Sequence, residues 1–333
     1  MTKKKIDKNI LSFKKPMDGS ILALWVMIAV VLIAMAILKP ATFYKMTNVR
    51  SMIFQFPEYG IMALGMMLAM ISGGIDLSLV GIANLSGIVA AKIMIGMGGN
   101  PASIAIAIMA AIAVGAACGC FNGFMIGYLK VPAMLVTLCG LQLYSGIGLG
   151  ITTGPALTGL PDAYKYFANG SVGQIPVVLF IFIAVVAVIY FIMNYTVYGQ
   201  QVRFMGSNDE AARYSGINNL KVTIMTYMIS GILGSISGVL ITSHFNSAKA
   251  DYGSSYTLLT LLIVVLGGIH PDGGRGNVGG VVLSILLLQL VAQAFNILQI
   301  DPTGNMKTFV YGALLIIVLC ANVMKGKKKK AKK

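Results

Sequence analysis

The chain alternates long runs of hydrophobic residues with short polar segments. Most runs approach the roughly 20 residues that a helix needs to cross the hydrocarbon core of a bilayer, so the pattern predicts about ten spanning helices. The eighth is short and flanked by glycine. The predicted bounds are 20–38, 52–71, 80–97, 103–129, 134–151, 176–194, 221–244, 257–266, 278–298 and 306–324. We expect an all-α polytopic membrane protein with one membrane domain over residues 1–333.

Composition and charge support this interpretation. Hydrophobic residues make up 57% of the 333 and charged residues 11%, whereas ordinary soluble domains are about 25% charged. Much of the net charge of +15 sits in six lysines within segment 1–19 and seven within segment 325–333. The positive-inside rule then predicts that both ends are cytoplasmic. The tail has no interleaved aromatic residues, which disfavours nucleic-acid binding.

A polar segment, residues 195–220, separates the sixth and seventh predicted spans. With both chain ends in the cytoplasm, this segment is cytoplasmic as well. It is expected to hold a helix of about two turns, too short to be stable alone in water. Two interpretations stay open: it docks to another protein, or it packs on the membrane surface. On the opposite side, loop 153–175 is expected to hold a short surface helix, as a connector or a docking site.

The polar segment carries the local signals of a short helix. Ser207 and Glu210 have the spacing of a capping box, in which each side chain bonds the backbone of the other residue. Asp209 and Arg213 have the spacing of an i,i+4 ion pair. Gly216 is expected to end the helix in the left-handed conformation.

The stretch SGGIDLS, residues 72–78, places a carboxylate between two hydrophobic runs. A charged side chain at membrane depth costs about 2.5 to 3.5 kcal/mol on insertion scales, so Asp76 must face protein or water. Gly73 and Gly74 allow the backbone to break there. The stretch is either part of a translocation path or gate, or a turn in which Asp76 bonds nearby amides.

A second glycine-rich stretch, LGGIHPDGGRGNVGG at 266–280, resembles a phosphate-binding loop only superficially. It lacks the Gly-Lys-Ser/Thr ending, and no such ending occurs elsewhere in the chain, so no ATPase activity of its own is predicted. We expect a tight cytoplasmic turn beside the polar helix. The residues of this turn are Gly267, Gly268, Asp272, Gly273, Gly274, Arg275 and Gly276.

Other polar residues fall inside the predicted spans: Gln55 and Glu58 in the second, Asn84 in the third and Gln142 in the fifth. Each is expected either to bond a neighbouring helix or to line a path for a polar solute. His244 and His270 are expected near opposite membrane faces, which disfavours a paired-histidine metal site or catalysis. We therefore expect no enzyme, no metal and no cofactor.

Taken in order, three motifs resemble the permease subunits of bacterial ABC importers for simple sugars, the ribose, galactose and xylose group. They are SGGIDLS at 72–78, GSNDEAARYSGIN at 206–218 and VLGGIHPDGGRGNVGGVVLSILLLQLV at 265–291. The similarity runs from about residue 48 to residue 321. Two stretches differ from the residues that are usual in the family. Leu79, Val80 and Gly81 stand where it has Val-Gly-Ser, and residues 267–271 read GGIHP where relatives often have Gly-Gly-Thr-Ser-Leu.

The resemblance implies a type II-like importer fold in the bacterial inner membrane. It also implies a second permease subunit, either an identical copy or a close paralogue. An extracytoplasmic binding protein delivers the solute, and separate ATPase subunits bind ATP and contact a cytoplasmic coupling helix. The residues that match the coupling helix and its flanks are Ser207, Asn208, Asp209, Glu210, Ala211, Ala212, Arg213, Gly216 and Ile217. Those that match the family signature after the second span are Gly73, Gly74, Asp76, Leu77 and Ser78.

The solute is left open by these motifs. A simple sugar is favoured, and the same machinery could carry a nucleoside, a branched-chain amino acid or a furanosyl signal. An alternative of a different class is an autonomous secondary transporter, in which Glu58 and Asp76 would carry protons.

Overall fold

The computed structural model describes residues 19–154, 156–299, 309–313 and 316. The helices are α1 (Gly19–Leu38), α2 (Pro40–Phe43), α3 (Met46–Ile71), α4 (Leu79–Gly96), α5 (Pro101–Gly127), α6 (Ala133–Thr152), α7 (Asp162–Asn169), α8 (Val177–Tyr195), α9 (Val197–Ser207), α10 (Asp209–Tyr214), α11 (Asn219–Phe245), α12 (Tyr256–Leu266) and α13 (Val278–Ile297). The two-residue strands are β1 (Leu157–Thr158), β2 (Ser171–Val172), β3 (Ile175–Pro176) and β4 (Ser247–Ala248). Apart from Gly19, the basic ends predicted at 1–19 and 325–333 lie outside these ranges, as does most of the predicted tenth span.

The prediction of an all-α polytopic membrane protein is confirmed. Within the described residues, eight helices are long and apolar enough to cross a membrane: α1, α3, α4, α5, α6, α8, α11 and α13. Outer helices such as α1, α5 and α8 expose large apolar side chains, among them Ile33, Met109 and Phe191. Water would penalise such surfaces, whereas lipid does not.

Helix α11 is the centre of the bundle and packs against α3, α4 and α5. Small residues let these helices approach until their backbones touch. A Cβ atom on Gly231 would collide with the carbonyl oxygen of Gly115 on α5, and one on Gly238 would collide with that of Ala83 on α4. Small residues at such crossings are the usual means of helix association where lipid removes the hydrophobic driving force.

Helix α12 differs from the other predicted spans. It has 11 residues, hence a length of about 16 Å, roughly half of a bilayer core. Helix α11 ends at Asn246, which has a φ of 50°, and the chain returns through residues 247–255 before α12 begins. The segment 247–255 thus connects α11 to α12, and α12 packs against α3 and α13.

The bundle has two ends that are named here by the helices they carry. The α7 end holds loop 153–176 and segment 246–255. The short helix expected in the first of these is α7, and strand β1 pairs with β4 while β2 pairs with β3. The α10 end holds the turns 72–78 and 267–277 together with α9 and α10. Helix α9 was not predicted from the sequence.

Candidate functional site

Three glycine-containing segments that are distant in the sequence meet at the α10 end. The amide of Gly274 donates a 2.8 Å hydrogen bond to the carbonyl oxygen of Ile71, at the end of α3. Gly206, at the end of α9, lies so close that a Cβ atom on it would collide with the same oxygen. A Cβ atom on Gly273 would lie 2.8 Å from the Cα atom of Gly73. Turn 72–78, turn 267–277 and the end of α9 are thus in direct backbone contact.

The turn conformations depend on glycine at this junction. Gly73, Gly268, Gly273 and Gly274 have φ values of 91°, 84°, 82° and 74°, a region that L side chains rarely adopt. The 267–277 turn expected beside the polar helix is therefore found against the end of α9. His270 lies in this turn, whereas His244 lies at the end of α11 on the α7 side of the bundle.

Helix α10 begins one residue later than the sequence suggests. The side chain of Asn208 accepts a 2.9 Å hydrogen bond from the amide of Ala211 and caps the helix. The predicted capping box of Ser207 and Glu210 is wrong, because Ser207 is the last residue of α9. Its hydroxyl donates to the carbonyl oxygen of Arg203 at 2.9 Å. The predicted stop at Gly216 is confirmed, with a φ of 83°.

Two contacts hold α10 against the bundle. Ala212 is 1% exposed and packs in the main apolar core, whereas its neighbour Ala211 is exposed. The side-chain amide of Asn219 donates to both the carbonyl oxygen and the carboxylate of Asp209, at 2.7 Å each. Asp209 thus bonds α11, and the described residues show no ion pair between it and Arg213.

The outward face of α10 combines charge with one large aromatic ring. Asn208, Asp209, Glu210, Ala211 and Arg213 are exposed. Tyr214, which the sequence analysis did not single out, is 91% exposed. An aromatic side chain so open to solvent beside a charged helix is typical of a protein interface. In the sequence, only its position within the GSNDEAARYSGIN motif connects Tyr214 with this surface.

Asp76 lies at the centre of a buried hydrogen-bond network. Its Oδ1 accepts from the amide and hydroxyl of Ser78, at 3.1 and 2.5 Å, and its Oδ2 accepts from the hydroxyl of Ser230 on α11 at 2.7 Å. Ser78 accepts in turn from the Asn122 amide on α5, which accepts from the Tyr144 hydroxyl on α6, each at 2.8 Å. The local bond expected for a turn is present, and the network also joins three other helices.

Three further residues were assigned to the path: Glu58, Asn84 and Gln142. They lie apart from Asp76 and from one another. Asn84 donates from one amide nitrogen to the carbonyl oxygens of Ala250 and Tyr252, at 2.9 Å each, and so holds segment 246–255. Glu58 is buried near the α7 end, where it contacts His244. The structure therefore does not gather the predicted path residues into one site.

Gln142 has a different environment from the other two. It is exposed on α6 and lines a cleft of about 330 Å³ with Ser145 and Gly146, below Lys249 and Asp251. Lys249 donates a 2.8 Å hydrogen bond to Asp251, which raises the pKa of the lysine and keeps it charged. An exposed amide in a spanning helix is costly in lipid, so this face of α6 meets water or another protein chain.

No group of His, Cys, Asp and Glu side chains is placed to hold a metal ion in the described part of the chain. What the structure presents is a bundle of apolar helices with a small polar helix tied to two glycine turns. These features define a multi-pass membrane protein.

The family of the chain follows from comparison with known proteins. A family model described as "Branched-chain amino acid transport system / permease component" matches residues 48–319. The chain therefore belongs to this family. The resemblance to the permease subunits of ABC importers is thereby confirmed.

Several similar proteins from Yersinia carry the same name. The autoinducer 2 import system permease protein LsrD of Yersinia pestis (strain Pestoides F) is 31% identical over 284 residues, which are 83% of this chain and 84% of the relative. The protein of the same name from Yersinia enterocolitica is 32% identical over the same shares. The one from Yersinia pseudotuberculosis serotype O:3 is 31% identical. No solved structure matches the chain.

Proposed function

We propose that the chain forms the translocation path of an ABC importer for a simple sugar or a sugar-like solute, and that α10 is its coupling helix. The solute is delivered by an extracytoplasmic binding protein. ATP is bound by separate ATPase subunits, and the permease needs no cofactor. The proposed location is the bacterial inner membrane, with the α10 end and both chain termini in the cytoplasm.

The observation that carries this proposal is the junction at the α10 end. A push on α10 reaches α11 through the bonds between Asp209 and Asn219. It reaches α3 and α4 through the end of α9, where Gly206 touches the backbone at Ile71, and α13 through the turn that holds Gly274. Because packed backbones transmit displacement with little compression, a six-residue helix can move four spans together.

The surface around α10 suits a polar protein partner. A cleft of about 590 Å³ lies between α10 and the end of α5, and its lining includes Lys130, Glu210 and Arg213. Charges of both signs beside the exposed Tyr214 favour a specific, oriented contact. We assign this surface to the ATPase subunit.

The path is proposed to run along the exposed face of α6 that carries Gln142. A Cβ atom on Gly146 or Gly150, which continue this face, would meet nothing within 4 Å. A polar, thinly covered face in the membrane is completed by a second permease subunit, either an identical copy or a close paralogue. The binding protein is assigned to the α7 end, where loop 153–176 and segment 246–255 lie.

Two solute classes have support of different kinds. The residues of the motifs at 72–78 and 206–218 favour a simple sugar. The relatives named for autoinducer 2 make that signal the second candidate. An autonomous secondary transporter is not favoured, because Asp76 is held by three hydrogen bonds within protein.

The test reverses one exposed charge on α10. Glu210→Arg should leave the permease folded and abolish its co-purification with the cognate ATPase subunit, because it places a third basic group beside Lys130 and Arg213. Asp162→Arg reverses another exposed carboxylate, at the α7 end, and is the matched control. It should leave the ATPase contact intact.

Two results would contradict the proposal. One is full ATP-driven uptake and retained ATPase binding by Glu210→Arg. The other is uphill transport by liposomes that contain the permease without an ATPase subunit. The first would remove the coupling role from α10, and the second would make the chain an autonomous carrier.

A further inference from the structure

A third cavity lies inside the bundle, near the α7 end and away from the α6 face. It measures about 390 Å³ and is enclosed by α3, the end of α11, α12 and α13. Ser255 and Phe245 are exposed where it opens, whereas Glu58 and Gln289 are 2% and 4% exposed. Small-molecule sites usually measure about 300 to 1,000 Å³ and combine apolar walls with a few convergent polar groups.

The polar wall of the cavity is built around Glu58. Its carboxylate contacts Nδ1 of His244 and accepts a 3.3 Å hydrogen bond from the hydroxyl of Tyr256. Because Nδ1 faces the carboxylate, Nε2 is the ring atom left for a ligand, and no partner for Nε2 stands among the described residues. The carboxylate thus orients a histidine at the edge of the cavity.

Amide and phenol groups line the opposite wall. The Tyr59 hydroxyl donates to Oε1 of Gln289 at 2.6 Å, and Nε2 of Gln289 lies 3.4 Å from Oε1 of Gln55. The last bond is long, so a ligand hydroxyl can replace it at little cost. The rings of Tyr59 and Tyr256 meet edge to face with centroids 5.6 Å apart and supply the apolar wall.

The charges of the cavity restrict the ligand. The only acid that lines it is Glu58, which faces His244, and no lysine or arginine occurs among its described lining residues. An amino-acid carboxylate or a phosphate would therefore find no fixed cation, and burying such an anion unpaired is costly. Hydroxyl groups can both donate to and accept from carboxylate, imidazole and amide groups, and their carbon skeleton can lie on tyrosine rings.

We propose that this cavity is a binding subsite, within a single permease subunit, for a small uncharged polyhydroxylated solute such as a monosaccharide. The residues placed to contact the solute are Glu58, His244, Tyr256, Tyr59, Gln289 and Gln55. The subsite rests on the proposed function for its transport role and adds the place where one subunit binds the solute. Because the cavity opens toward the α7 end, the subsite receives solute from that side.

The binding test uses the full-length permease in lipid nanodiscs without ATPase or binding protein. Three neutral probes, D-ribose, D-xylose and glycerol, are compared with L-leucine by equilibrium binding. At least one neutral probe should bind saturably and be displaced by the other neutral probes. L-Leucine should neither bind nor compete. Absence of saturable binding for all three neutral probes, or their displacement by L-leucine, overturns the assignment.

Variants locate the binding at this cavity. Tyr256→Phe removes one hydroxyl and keeps the ring, and Glu58→Gln keeps the shape and removes the charge. Each should weaken the affinity for the bound neutral probe about tenfold, the effect of one lost hydrogen bond to a charged partner. Tyr198→Phe is the matched control, since it removes a hydroxyl that bonds Thr226 at 2.8 Å, and Tyr198 does not line the cavity. Equal affinity in Tyr256→Phe, Glu58→Gln and the unmodified chain overturns the location.

This test is independent of the ATPase. Loss of probe binding with normal ATP-driven uptake in the complete importer would refute the subsite alone. Normal probe binding without ATP-driven uptake would refute the importer function and leave the subsite standing.

Discussion

Gly206 is a position where one added methyl group would disturb the packing of the α10 end. Its Cα lies against the carbonyl oxygen of Ile71 and the amide of Gly274, so a Cβ atom would strike backbone rather than a movable side chain. We expect Gly206→Ala to lower the free energy of unfolding by about 1 to 3 kcal/mol, the usual effect of overpacking. Thermal unfolding of the purified permease in detergent measures this loss.

Gly96→Ala is the control for this substitution. Gly96 ends α4 at the α7 side, and a Cβ atom there would meet nothing within 4 Å. Its unfolding temperature should match that of the unmodified chain. Equal stability of Gly206→Ala and the unmodified chain would show that the three segments are not in backbone contact.

Asp76 allows a test of whether its network holds the helices together. Asp76→Leu leaves the donors of Ser78 and Ser230 buried without an acceptor and should cost about 2 to 5 kcal/mol of unfolding free energy. Asp76→Asn keeps one carbonyl oxygen and the side-chain shape, and the Ser230 hydroxyl can turn to accept from its amide. It should cost about 1 kcal/mol.

The two Asp76 variants are compared by denaturation and by uptake. Uptake by Asp76→Asn should stay near normal if the residue serves to join α4 to α5 and α11. Complete loss of uptake in a stably folded Asp76→Asn would instead assign Asp76 to the moving path.

Residue-level prediction succeeded where the cause is local. Gly216 ends α10 because the left-handed conformation at a helix end depends on the residue itself. The cap was assigned to Ser207 instead of Asn208 because both side chains can cap, and the choice depends on where α9 ends. Ala212 faces inward for the same reason, since the packing of α10 on the core lies outside the local pattern.

At the scale of the element, α10 is the piece whose formation depends most on its cap. With six residues it has little backbone hydrogen bonding of its own. Asn208→Ala removes the acceptor for the Ala211 amide, an effect of about 0.5 to 2 kcal/mol. We expect the permease to stay folded, while α10 frays and ATPase co-purification falls severalfold.

Asn100→Ala provides the same chemical change at another helix. Asn100 caps α5 at the α7 end by accepting from the Ser103 amide at 2.7 Å. Its loss should leave ATPase co-purification unchanged, because α5 has 27 residues and many other contacts. A drop of equal size in both variants would mean that the first effect reports general instability.

Hydrophobic runs predicted the spans well because the bilayer imposes both length and apolarity. They also predicted the short α12, because polar and glycine residues bound its apolar run at 257–266. Helix α9 was missed because it follows α8 after a single residue and mixes polar with apolar positions. The two-residue strands β1 to β4 carry no detectable period.

The whole molecule joins residues that no local pattern relates. Turns 72–78 and 267–277 and the end of α9 are each a recognisable motif, yet their contact depends on the order in which the helices cross the membrane. Glu58 and His244 are 186 positions apart. From the sequence, His244 was predicted only to lie near the opposite membrane face from His270. The cavity they border therefore became visible only when α3, α11, α12 and α13 were assembled.

The proposed path along the exposed face of α6 can be tested in the assembled importer. Cys139 lies three residues before Gln142, on the same helix face, and is exposed. If this face lines a water-filled path, a charged thiol reagent should modify Cys139 in a chain whose Cys118, Cys120 and Cys320 are changed to serine. The control carries Met109→Cys and Cys139→Ser in that same background, because Met109 is 62% exposed on the apolar face of α5 and should face lipid.

In the complete complex, the rate of modification of Cys139 should change by about tenfold or more between ATP-bound and nucleotide-free states, since alternating access opens the path to one side at a time. The Met109→Cys chain should react slowly in both states, because a charged reagent partitions poorly into lipid. Labelling of the two positions at equal rates would mean that the α6 face meets lipid, and the path would then have to run elsewhere in the bundle.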